Sequence, residues 1–208
     1  MQALAPRQLK LVKFILFITA LSPLLRLVLL GFQDRLGANP LEFVTRATGD
    51  WTLYFLCMTL AVTPLRRLTG VRWLLRFRRM LGLYGFFYAC LHFLCFLWFD
   101  HFFDIEEMIR DVFKRPFITV GFSAFVLLLP LAATSTQRMV HRLGRWWAKL
   151  HRLIYLVAVL ALLHFWWMRA GKNNFGDPLL FSAIMVLLLG ARIVFRWRDR
   201  QASRRQVS

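Results

Sequence analysis

The chain has 208 residues, 59% of them hydrophobic and 16% aromatic, and nevertheless a formal charge of +18; its mean hydropathy is +0.54. Soluble domains rarely combine these features. The basic residues sit in clusters between apolar runs rather than on one soluble face, so the high pI, near 11.5, points away from a nucleic-acid partner. What is left is an all-α membrane protein, because apolar runs of nearly the roughly 20 helical residues that cross a hydrocarbon core of about 30 Å recur along the chain.

In chain order, a six-transmembrane-helix bundle is expected, with spans at about 13–32, 48–65, 80–99, 116–134, 149–168 and 178–195, all in one domain covering 1–208. The start, "MQALAPRQLKLVKFILFITALSPLLRLVLLGF", has a basic lead and a long apolar stretch without a small-residue cleavage site. It reads as a retained first span rather than a removed signal peptide. Arg26 falls within that span, where an unpaired charge costs at least ~2.5 kcal/mol. Two readings fit it: snorkelling to the interface, or neutralising a cofactor carboxylate. Cys57, Cys90 and Cys95 lie inside apolar runs without metal-like spacing and read as small buried hydrophobes.

The connections alternate in charge. Arg7, Lys10 and Lys13 precede the first span. Arg66, Arg67, Arg72, Arg76, Arg78 and Arg79 join the second and third; Arg138, Arg142, Arg145, Lys149 and Arg152 join the fourth and fifth; Arg192 to Arg205 close the sixth. The segments holding Asp34 to Asp50, Asp100 to Arg115 and Arg169 to Asp177 are mixed or acidic. The positive-inside rule therefore puts both termini in the cytoplasm.

The third and fifth spans run in the same direction. His92 lies 13 residues after Arg79 and His164 lies 12 after Arg152, which places both rings ~18 to 20 Å above the inner edge. A lone intramembrane histidine can be a hydrogen-bonded core residue or a proton relay. Two at one depth on different helices point to the axial ligands of a haem. His151, 13 residues before His164, offers a further imidazole near the cytoplasmic edge, but an ideal helix would turn it roughly 140° away from His164. Cofactor ligation and an interfacial hydrogen-bonded ring both fit it. His101 and His141 are expected to be solvated surface residues.

The outer segment "FDHFFDIEEMIRDVFKRPF" is expected to form an interfacial helix. Ile105, Met108, Ile109 and Val112 recur at helical spacing and can lie on the membrane, while Asp104, Glu106, Glu107 and Asp111 stay largely available to water. Those carboxylates either dock a partner or belong to a connector whose acidity keeps it outside. No Gly-rich dinucleotide fingerprint occurs, so direct NAD(P)H oxidation is not expected.

The segments "LGANPLEFVTRATG", "RRMLGLYGFFYACLHF" and "TSTQRMVHRLGRWWAKLHRLIYLVAVLALLHFWW" resemble those of the MsrQ (YedZ) family, across essentially all six spans. The resemblance implies a ferric reductase-like transmembrane domain in the bacterial inner membrane. It implies haem b, one or two, held by His92, His151 and His164, and FMN, to which no residue is assigned. It also implies electrons drawn from quinol or a cytosolic flavin reductase. These would pass to a periplasmic molybdopterin-containing methionine-sulfoxide reductase, which completes the reduction. The oxidase-like pattern has two histidines on the third span as well as the fifth, and this chain has one there. A self-sufficient ferric or quinone reductase, or a histidine-relay proton channel or transporter, are the competing functions.

Overall fold

The computed structural model describes residues 5–170 and 175–205, with side chains described through residue 203. Among these residues the chain is all helical, without a strand. The middle of the connection expected around 169–177, residues 171–174, lies outside the described residues.

The long helices are α1 (Pro6–Phe32), α2 (Pro40–Thr69), α3 (Leu75–Cys95), α5 (Pro116–Ala133), α8 (Leu153–Ala170) and α9 (Gly176–Arg205). Shorter ones are α4 (Ile105–Lys114), α6 (Gln137–Leu143) and α7 (Arg145–Leu150). Their ends follow local chemistry. Asn39 caps α2 by accepting from the Glu42 amide, Pro40 takes the first-turn position that needs no amide donor, and Gly70 (φ 72°) closes the helix in the left-handed conformation. A wider π-helical turn, Phe96–Asp100, prolongs α3, and Phe102 and Phe103 both have positive φ where the chain reverses into α4.

Five helical segments are long and apolar enough to cross a membrane: Pro6–Phe32, Arg72–Asp100, Pro116–Ala133, Arg145–Ala170 and Gly176–Ser203. This is a multi-pass membrane protein. The stretch expected as the second span, 48–65, lies inside α2, which is helical but not among the five. The reason is its position. α2 packs chiefly on α3 and also touches α8 and α9, and its buried residues include Leu53, Phe55, Leu56, Leu60 and Val62 but also Thr48 and Thr59. The two threonine hydroxyls donate to carbonyls of their own helix, so a helix surrounded by protein carries polar residues that lower its hydropathy.

α5 packs on α8, and α3 on α5. α1 is fastened to α3 by two phenols: Tyr84 Oη donates to the Phe17 carbonyl (3.0 Å) and the fully buried Tyr88 Oη to the Ala20 carbonyl (2.8 Å). Toward the C-terminal ends of α2 and α9, Arg67 makes a bidentate pair with Asp199 (3.0 and 2.6 Å).

Candidate functional site

His92 on α3 and His164 on α8 come together, ring centres 6.2 Å apart and planes inclined at 72°. The matched depth read from the sequence is thus a real juxtaposition. Each ring is held from the helix behind it. His92 Nδ1 lies 2.9 Å from the Thr45 carbonyl on α2, and His164 Nδ1 lies 2.7 Å from the Phe117 carbonyl on α5. A carbonyl only accepts, so Nδ1 carries the proton in both rings and Nε2 keeps its lone pair. That is the tautomer a metal-ligating imidazole needs, fixed by a bond from its other nitrogen.

Both anchors have the same construction. Each ring follows its carbonyl by 47 residues, and one helical turn beyond each carbonyl is a glycine, Gly49 or Gly121, on which the ring lies. A Cβ at Gly121 would fall 2.7 Å from His164 Nδ1, and one at Gly49 would fall 3.1 Å from His92 Cε1. These glycines are present because the imidazoles approach the helix backbones too closely for a side chain. Neither the carbonyls nor the glycines were singled out from the sequence, although the repeated spacing of glycine and histidine was there to be read. Beside the pair, Phe93 stacks on Phe125 at 4.7 Å and Phe125 on Phe86 at 6.2 Å, forming an aromatic wall between α3 and α5. Arg169, five residues beyond His164, ties α8 to Asp50 of α2 (3.8 Å) and Asp177 of α9 (3.3 Å).

The pair suits a haem. Metal–imidazole bonds of about 2 Å on opposite faces of one iron set ring centres about 6 Å apart, close to the separation found. Among the described residues no group of three or more His, Cys, Asp or Glu is placed to hold a bare ion. Two imidazoles with free Nε2 atoms could supply two ligands to a metal whose remaining ligands came from a macrocycle.

His151 stands elsewhere. It caps the end of α7, and a break at His151 and Arg152 separates α7 from α8, so the expected continuous span 149–168 is two helices with a turn between them. Its ring stacks on Trp147 (4.1 Å), and its Nε2 lies 3.0 Å from Thr134 Oγ1. The Thr134 hydroxyl donates to the Pro130 carbonyl (2.6 Å), so it accepts from His151. The nitrogen left free in the other two rings is engaged here.

Arg26 is exposed on α1, and no hydrogen bond or ion pair reaches it among the described residues. The helix expected over the acidic outer segment is α4, capped by Asp104, with Met108 and Val112 buried and Ile105 and Ile109 exposed. Its carboxylates differ. Glu106 pairs with Arg110 at 3.0 Å and Glu107 has a 64% exposed side chain, while Asp111, 17% exposed, is turned to Arg115 (3.3 Å) and His101. His101 corrects the sequence reading. It is 4% exposed, packed edge-on against Phe96 at 4.6 Å, with Nε2 3.6 Å from Asp111 Oδ2. The positive-φ turn at Phe102 and Phe103 folds it under α4. His141 is exposed, as expected. The three cysteines are free thiols; Cys57 and Cys95 are buried and Cys90 is partly so.

Residues 48–162 match the family described as the ferric reductase like transmembrane component, which is the class that the helical bundle and its facing histidines define. Among curated proteins, the chain is 64% identical over 197 residues to the protein-methionine-sulfoxide reductase heme-binding subunit MsrQ of Herminiimonas arsenicoxydans, covering 94% of this chain and 90% of that one. It is 59% identical to the protein of the same name from Ralstonia nicotianae, over 94% of this chain and 90% of that one. For the Bordetella pertussis protein of that name the identity is 52%, over 97% and 98%. The chain belongs to the MsrQ family. No solved structure matches it.

Proposed function

We propose that this chain is a haem b electron-transfer subunit of a methionine-sulfoxide reductase system, with His92 and His164 as the residues that would hold the haem iron. The facing pair, with both Nδ1 protons given to backbone carbonyls, is the observation that carries the reading. The haem would supply one-electron redox chemistry. The chain's residues do the rest: Thr45 and Phe117 fix the tautomer, and Gly49 and Gly121 set the ring positions. The similar proteins carry "heme-binding subunit" in their names, which supports the same assignment here.

The finer reading follows. α2 counts as a sixth span, the basic ends of the bundle and both termini face the cytoplasm, and the membrane is the bacterial inner one. Electrons enter from quinol or a cytosolic flavin reductase, with FMN and a second haem as further cofactors, and leave to a periplasmic molybdopterin-containing catalytic subunit that reduces methionine sulfoxide.

The test is the absorption spectrum of the purified chain, oxidised and dithionite-reduced. A Soret band that sharpens and shifts on reduction is expected, strongly diminished in His92→Ala and His164→Ala. A colourless protein would overturn the reading and leave a histidine relay; full haem occupancy with an unchanged spectrum in both variants would overturn the assignment of His92 and His164 as ligands.

A further inference from the structure

At the end of the bundle away from the histidine pair, positive charge is buried without a counter-ion. Arg192 on α9 is only 7% exposed. Its Nη1 donates to Tyr155 Oη (2.8 Å) and its Nη2 to the Leu60 carbonyl (2.5 Å), but its Nε is buried with no acceptor. Arg78, near the start of α3, is partly buried and makes no hydrogen bond or ion pair among the described residues. It lies within electrostatic reach of Arg192 and Tyr155, and of His151. Arg196 adds a third guanidinium, 5.8 Å from the Tyr155 ring. On the neighbouring stretch of α2, Thr63 Oγ1 and Arg66 Nε are also buried without partners.

Among the described residues no carboxylate answers this charge. Asp199 is the one acidic residue on these helix ends, and both its oxygens are taken by Arg67. The other acidic residues belong to the opposite ends of the helices and their connections. Bringing guanidinium groups together out of water is costly unless an anion joins them. Arginine rather than lysine at both positions matches a planar fork to a carboxylate or phosphate.

We propose that Arg78 and Arg192 form a receptor for the anionic oxygen group, carboxylate or phosphate, of a cofactor held within the bundle. This rests on the function proposed above in requiring a cofactor there, and two sources carry the chemistry: a haem propionate and the phosphate of FMN. Arg192 also braces α8 and α2 through Tyr155 and Leu60, whereas Arg78 breaks no bond when replaced, so Arg78→Gln is the decisive variant and Arg192→Gln the supporting one.

The full chain in detergent is titrated with FMN and with riboflavin, followed by flavin fluorescence, and with haem and its dimethyl ester, followed by the Soret band. Wild type is expected to prefer the anionic member of at least one pair by about tenfold or more, and Arg78→Gln to bring that preference close to parity. Preference for FMN over riboflavin identifies a phosphate receptor; preference for haem over its ester identifies a carboxylate receptor. Equal binding within both pairs by wild type, or an undiminished preference in Arg78→Gln, would overturn the proposal. Failure of the functional reading is distinct, since the wild-type chain would then bind neither haem nor ester.

Discussion

His92 and His164 face each other at 6.2 Å from α3 and α8, and each is aimed by a backbone carbonyl of a helix that is not its own. Because main-chain atoms hold both tautomers, no single side-chain substitution removes either anchor, and the positions open to mutation are the glycines beneath the rings. Gly121→Ala would set a Cβ 2.7 Å from His164 Nδ1, with helix backbone on one side and the ring on the other; at Gly49 the nearest approach is 3.1 Å. Gly121→Ala is therefore expected to lower haem affinity about tenfold or more, the scale seen when a metal ligand's support is disturbed, and Gly49→Ala to have a smaller effect in the same direction. Haem bound per chain over a haem titration measures both. Wild-type affinity in Gly121→Ala would show that the ring does not need its present position.

His151 differs from that pair in that its Nε2 already has a partner. Thr134→Val leaves the His151 N–H without an acceptor and the junction between α7 and α8 with one bond fewer, a change of about 1–3 kcal/mol for a partly buried group. A lowered unfolding midpoint with the haem spectrum intact is expected. In His151→Ala the spectrum of the haem on His92 and His164 should persist. Haem per chain decides its role: a fall from two to one makes His151 a ligand of a second haem, and no change leaves it a brace of the helix junction.

The pair was legible in the sequence because two quantities suffice for depth: the basic residues that mark where a span begins, and the fixed rise of a helix. What holds the rings was not, since Thr45 and Phe117 contribute only main-chain oxygens, which any residue carries. The second span was read from its apolar run, but the helix extends at both ends, and its threonines reflect burial within protein rather than contact with lipid. His101 was missed because it follows the third span at the outer surface, where a solvated ring is expected. Two consecutive positive-φ phenylalanines, which sequence does not announce, reverse the chain and bury the ring. The acidic helix α4 was legible from periodicity, but the inward turn of Asp111 was not.

Tyr88→Phe removes one hydroxyl at a fully buried position, leaving the Ala20 carbonyl and the Leu24 amide of α1 without the phenol that lies between them. A loss of about 1 kcal/mol is expected, read as a lower unfolding midpoint and earlier proteolysis of α1. The haem spectrum should be unchanged, because only the hydroxyl that reaches α1 is removed and the ring that stacks on Phe55 of α2 stays in place. An unchanged midpoint would mean that apolar packing alone fastens α1.

The α4 carboxylates separate into two groups with different expected effects. The Glu106 and Glu107 side chains are 86% and 64% exposed, on a helix that directly follows the extension of α3, the helix bearing His92. That location suits docking of a partner that receives electrons, and exposed charges mainly set association rate. Reversing both to Lys is expected to slow transfer to the catalytic subunit and weaken its dependence on salt, with the haem spectrum intact. Asp111 instead faces Arg115 and the buried His101. Asp111→Asn is therefore expected to loosen α4, seen as faster proteolysis or amide exchange over 105–114, without the change in salt dependence. New lysines outside could disturb insertion, so the orientation of each variant is checked by accessibility labelling before rates are compared. Correctly inserted, haem-replete variants of Glu106 and Glu107 that reduce the partner at the wild-type rate across ionic strengths would sink the docking role and leave α4 as a connector lying on the membrane.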